Sequence, residues 1–313
     1  MKHQSSLRTR WYWSLLILFF SQGSHAAGPD VVVSILPIHS LVAGIMQGVG
    51  EPRLLITGQQ SPHDFSLKPS DMQAIQRAQL IVWVGPAIET ALANILEKGN
   101  HTAQVVTLSD LLKHDALPTR EGGDWEEHDH PSTEHGHDDE HADAVDSHLW
   151  LSPLIAEQIV RQVTDALAQI DSANAERYRE NRLALLLRLQ QLDAELAEEL
   201  LPARGVPYIV FHDAYHYFEQ RYELNAVGSV SINPERAPGA RHVHELRDKI
   251  IRLQARCLFA EPQFKPKLLQ TLAEGSSVKI GQLDPLGSDL PPGPDAYFQL
   301  MRRLSHDLLT CLK

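Results

Sequence analysis

From Ala173 to Leu200 the chain runs for 28 residues without Gly or Pro, carrying Leu185, Leu189, Leu192 and Leu196 at helical spacing with charges between them. A helix of that length spans about 42 Å, enough to cross a whole domain, and without a breaker it is stiff. A rigid rod of this kind divides whatever lies on either side of it.

The sequence alternates on both sides. Before the rod, 31–36 (VVVSIL), 53–56, 80–84 (LIVWV) and 104–108 read as short strands, with helical patterns at His39–Gln47, from Pro69 (PSDMQAIQRAQ), at Ile88–Leu96 and at Pro153–Ile170. After it, Tyr208–Phe211, Ala226–Ser231, Cys257–Ala260 (CLFA) and Val278–Leu283 read as strands. Helices are expected near Tyr215–Arg221, Ala240–Gln254, Pro266–Glu274 and Asp295–Leu312. A repeated βα rhythm builds a parallel sheet with helices on both faces. The expected fold is α/β, with two Rossmann-like lobes joined by one long rigid helix. The N-terminal lobe covers 27–170, the linker 171–201 and the C-terminal lobe 202–313. With 43% hydrophobic residues over 313 positions, the chain can bury two such cores.

The first 26 residues stand apart. Lys2, Arg8 and Arg10 precede the apolar run 11–20 (WYWSLLILFF), and small polar residues SQGSHAA follow. This is the layout of a cleaved secretory signal peptide, with cleavage expected near Ala26 or Ala27. The apolar run spans about 15 Å as a helix, half of a bilayer core. No Cys follows it, which excludes a lipoprotein anchor. Export places Cys257 and Cys311, the only cysteines, where a disulfide between them is favoured. Two buried thiols are the alternative. The net charge of −12 argues against nucleic acid and anionic membranes as partners.

One stretch cannot bury a core. From Glu121 to Asp143 there are ten acids, five histidines and no basic residue. This reads as a long His- and acid-rich loop, and its length points to function. Its histidines are His128, His130, His135, His137 and His141. Ligands on an unscaffolded loop are not preorganised, so they are expected to bind metal weakly and as accessories. A solvated insertion is the bland alternative.

In open α/β sheets, ligands bind where loops leave the carboxyl ends of strands. His63 (SPHDFSLKPSD), His148 (HLWLSP), His212 (FHDAYHYF) and Asp284 (LDPLG) lie at such exits or open such segments. Three imidazoles with a carboxylate or water suit zinc, whereas hard cations want mainly oxygen. Taken singly, each histidine also reads as a solvated loop residue or a satisfied core residue. His216, four residues after His212, shares its face if the segment is helical. His242, His244 and Glu245 lack the HExxH spacing and read as a solvated helix face. No GxSxG, Walker or GxGxxG motif occurs, and 6% aromatic residues give no platform for stacking bases.

The segments PHDFSLKPSDMQAIQRAQLIVWVGP, HLWLSP, FHDAYHYFE, INPERAPGA, CLFAEPQF and LDPLG occur in this order across nearly the whole chain. They resemble the periplasmic zinc-binding proteins of bacterial ABC-type zinc uptake systems, the ZnuA family. The resemblance implies two lobes with zinc held in the interlobe cleft by His63, His148 and His212. It places Asp284 near the metal, as a fourth ligand or orienting a water or ligand histidine. A histidine at 212, where the related manganese-binding branch has Glu, favours zinc. Some relatives carry a Glu just before the first histidine; Pro62 stands here and offers no ligand, which leaves the fourth position to water or Asp284.

The expected function is therefore a periplasmic solute-binding protein. It captures Zn²⁺ and delivers it to an inner-membrane ABC permease driven by a cytoplasmic ATPase. A periplasmic accessory zinc protein is a further expected partner, and the chain is expected to act as a monomer without enzymatic chemistry. The alternatives are a zinc-dependent hydrolase, since three histidines and a water also make a hydrolytic centre, and a zinc buffer or chaperone with no role in transport.

Overall fold

The computed structural model describes residues 28–99, 101–120, 145–231, 239–264 and 267–313. The signal segment, the His-rich loop with its five histidines, and most of INPERAPGA lie outside the described residues.

The first half runs β1 (Val31–Val33), α1 (Leu36–Ile45), β2 (Arg53–Leu54), α2 (Pro69–Arg77), β3 (Leu80–Trp83), α3 (Thr90–Lys98), β4 (Gln104–Thr107), α4 (Leu108–Leu111) and α5 (Pro153–Ile170). The helix α6 (Ala175–Glu199) follows. The second half runs β5 (Pro207–His212), α7 (His216–Tyr222), β6 (Asn225–Ser231), α8 (Ala240–Arg252), β7 (Cys257–Ala260), α9 (Lys267–Ala273), β8 (Lys279–Gln282) and α10 (Ala296–Leu312).

Each half contains one parallel four-stranded sheet. The orders are β2-β1-β3-β4 and β6-β5-β7-β8, the same winding twice. In both, the chain turns from one side of the sheet to the other at its first strand. The crevices beside β1 and β5 are therefore the switch points where such sheets hold ligands. The strands VVV and LIVW are buried along their whole length, as parallel strands covered on both faces must be.

Two boundaries differ from expectation. The β-branched run after Val31 leaves the sheet at Val33, and Pro37 sits in the first turn of α1 instead of ending a strand. Proline is pre-shaped for that position and gives up no hydrogen bond there. The long helix is 25 residues, about 37 Å, rather than 28. At its start Asp171 accepts from Asn174 Nδ2 and the Tyr178 hydroxyl, holding a 3-10 turn over Ser172–Asn174. At its end Pro202 lies in a second such turn.

The rod is packed, not free-standing. It lies against α1, α5 and α10, and α10 also touches α1. Gly44 lets α1 approach so closely that a Cβ there would sit 3.2 Å from Leu185. Across α6 and α10, Arg302 forks onto Glu195 at 2.7 and 2.8 Å, and Ser305 donates to Glu199. One continuous apolar core passes from the first sheet through α6 into the second half. A smaller cluster, including Ile209, Leu246 and Leu258, backs the second sheet. Cys257 on β7 is bonded to Cys311 on α10, 54 residues apart. Gly281 makes room there, since a Cβ would lie 3.0 Å from Cys311 Sγ and 2.7 Å from the Phe259 ring. No helix of the described residues is long and apolar enough to cross a membrane.

Candidate metal centre

Three elements bring the site together. His212 is the last residue of β5, at the switch point of the second sheet. His148 precedes a 3-10 turn over Leu149–Leu151 that leads into α5, whose first turn holds Pro153. His63 lies between β2 and α2, and its backbone N–H donates to Ser61 Oγ. The halves are fastened beside the site. Trp150 Nε1 donates to Pro285 O at 2.7 Å, and the Tyr297 hydroxyl donates to Trp150 O at 2.9 Å.

One ring nitrogen from each of His63, His148 and His212 lies within 4.8 Å of the others. The Nε2 atoms of His148 and His212 are 3.4 Å apart. Tetrahedral zinc with nitrogens at ~2.0–2.1 Å places a pair of them about 3.3 Å apart. His148 and His212 are buried and His63 is half-buried. The spacing thus needs little rearrangement to close on one ion.

Behind two of the imidazoles stands a carboxylate. His148 Nδ1 donates to Asp146 Oδ1 at 2.7 Å, and the same oxygen accepts the His148 backbone N–H. His212 Nδ1 donates to Glu261 Oε1 at 2.7 Å. A carboxylate on Nδ1 keeps the proton there and leaves the Nε2 lone pair for a cation. Electrostatics separate the histidines. Burial, joined by the proximity of His148 and His212, pushes His63 down to about 3. Burial is the largest single influence on His212 and disfavours its cation, but the Glu261 charge and hydrogen bond together with the Asp213 and Asp146 charges outweigh it, and its pKa is raised. Three converging imidazoles, two of them backed by carboxylates, invite a cation.

The other expected residues take different places. Asp284 does not join the convergence. Its Oδ1 accepts from Gln263 Nε2 and Leu286 N–H, and its Oδ2 from the backbone and hydroxyl of Ser288. His216 is also outside it, its Nδ1 3.9 Å from Asp146 Oδ2. The helical-face argument for His216 does not apply, because His212 ends a strand and the helix begins only at His216. His242 bonds Ser229 O and the exposed His244 pairs with Asp248, away from the cleft. Pro62 lines the cavity without a ligand atom. Sequence reasoning missed Glu261 and Asp146. The rule that picked His212 also picks Glu261, which directly follows β7 at the same sheet edge.

The three rings open onto a cavity walled also by Trp150, Gln263 and Phe264, with about 10 Å³ open to water-sized occupants. That is about one water.

Relatives match over most of the chain. It is 41% identical over 93% of its length to the high-affinity zinc uptake system protein ZnuA of Brucella abortus, covering 94% of that protein. It is 35% identical to the protein of the same name from Yersinia pestis, over 95% of each. The fold matches a crystal structure of a ZnuA deletion mutant with zinc bound, at 22% identity and TM-score 0.74, over 91% of this chain and 98% of that one. The family model described as the periplasmic component A of the zinc-uptake complex matches residues 31–311, and the chain belongs to this ZnuA family.

Proposed function

We propose that this chain captures Zn²⁺ in the periplasm and hands it to an inner-membrane ABC permease powered by a cytoplasmic ATPase. The observation that carries the reading is the convergence of His63, His148 and His212 between the halves. Zinc is here the cargo and not a resident cofactor. The family is one of binding proteins, not enzymes.

The three histidines are the ligands in this reading, with water in the fourth position. The functional units are a lobe over 27–170, the rod over 171–201 and a lobe over 202–313, preceded by a signal peptide removed near residue 26. The protein works as a monomer, with a periplasmic accessory zinc protein as a second partner. The family's periplasmic place supports the export reading. The five histidines of the 121–143 loop act as weak accessory ligands in this reading, the last of them seven residues before His148 in sequence.

The test is a zinc competition titration of the purified chain with growth of a deletion strain under zinc limitation. One tight equivalent, lost in His148→Ala and His212→Ala, together with zinc-dependent growth, is the expected result. Unchanged affinity in both variants overturns the ligand set. Tight binding with normal zinc uptake in the deletion strain points instead to a buffer. Deleting 121–143 should remove weak equivalents and leave the tight one; loss of the tight one reverses that hierarchy.

A further inference from the structure

On the zinc reading, three histidines would fill three of the four positions around the ion and leave one for a water. One polar side chain in the cavity wall is held in a specific orientation. Gln263 Nε2 donates to Asp284 Oδ1 at 2.9 Å. Asp284 is itself pinned by Leu286 N–H and by two donors of Ser288. An ionised carboxylate only accepts, so the Gln263 amide must turn its NH₂ to Asp284 and its carbonyl the other way. That carbonyl, Oε1, is buried and has no hydrogen-bond partner among the described residues. A buried acceptor left empty costs free energy and calls for an explanation.

We propose that Gln263 is a positioning residue for the cargo, its Oε1 accepting a hydrogen bond from the water at the fourth position of bound zinc. The inference rests on the zinc reading above. A water on a dication is a strong donor and needs an acceptor once it is closed off from solvent. The amide supplies one without adding a negative charge. Asp284 then acts through Gln263, which accounts for a carboxylate that sits near the site without joining its convergence. A neutral acceptor holds the ion less tightly than a fourth protein anion would, which suits cargo that must be released.

The test uses the full mature chain with Gln263→Met, which keeps length but removes the acceptor, and Gln263→Ala. Zinc affinity is read by competition, and visible spectra of the cobalt(II)-loaded protein are read against pH. A metal-bound water donates more strongly than hydroxide, so Oε1 favours the water form. Removing it should weaken zinc by about tenfold, the worth of one hydrogen bond to a charged centre, and lower the pH midpoint of the cobalt spectral change. Unchanged affinity with an unchanged midpoint overturns the proposal. So does a lower melting temperature of the metal-free variants with an unmoved midpoint, which marks Gln263 as structural support only. If the unaltered protein binds no zinc, the zinc reading itself falls; if it does and the variants match it, only the role of Gln263 falls.

Discussion

Glu261 receives the Nδ1 proton of His212 at 2.7 Å, one residue beyond the end of β7, while His212 closes the adjacent β5. The pair is set by sheet register, so the imidazole is oriented before any ion arrives. In Glu261→Gln the neutral amide no longer raises the basicity of the ring or fixes its tautomer. Zinc affinity should fall by about 10- to 100-fold, as for other partners of ligand histidines. Competition titration checks this, with a near-native far-ultraviolet spectrum expected because the substitution keeps shape.

Acid should act on the metal-free protein through His63. Its pKa is about 6.5 unfolded and about 3 in the fold, because burial and two neighbouring histidines disfavour the cation. The folded state thus binds fewer protons than the unfolded one between those values. Its contribution is present above pH 6.5 and is lost as pH falls toward 3. His212 has the opposite sign: its raised pKa adds stability at low pH that is lost as pH rises through the folded value. In His63→Asn the acid loss should shrink. Thermal denaturation of both metal-free proteins from pH 7 to pH 4 should show the variant gaining on the parent as pH falls. Parallel curves would contradict the assignment.

The α/β class, the strand sequence and the long helix were legible because apolar runs and helical patterns alternate on both sides of the His- and acid-rich stretch and of the long helix. The three histidines were legible because sheet-end loops concentrate ligands, and family motifs pointed to the same positions. What stayed hidden depends on the third dimension. For Asp284 the sequence leaves a ligand and a supporting role both open; its oxygens are turned to Gln263, Leu286 and Ser288, contacts set by a loop that spacing does not describe. Glu261 sits beside His212 only because β7 pairs with β5, 49 residues apart in sequence at that contact. The role of α10 as a second strut along α6 was equally invisible, since an amphipathic helix does not say which lobe it covers.

The disulfide should hold the fold without tuning the site. It ties β7 to α10 and closes a long loop, as the cysteine count had suggested. Replacing both Cys257 and Cys311 with Ser should cost about 2–4 kcal/mol of stability. His212 and Glu261 remain set by strand pairing, so zinc affinity should stay within about threefold. Denaturant titration and metal competition on the same double variant read both quantities.

A charged contact between the halves lies one residue from the site. Arg120, in the first half, pairs with Asp213 and with Glu219 at 2.7 Å in the second. Glu219 is buried while Arg120 and Asp213 are half-buried, and burial pushes Glu219 up to about 7 even with Arg120 beside it. Removing the guanidinium strands two carboxylates in a poorly solvated place. Arg120→Met should therefore destabilise by about 3–5 kcal/mol, the usual cost of breaking a buried pair from one side. Adding Glu219→Gln removes one of the stranded charges and should recover part of that loss. Asp213 adjoins His212, so the single variant should also weaken zinc while the double variant partly restores it. Denaturant midpoints and zinc titrations of the two variants test the coupling; additive losses would show that Arg120 and Glu219 act independently.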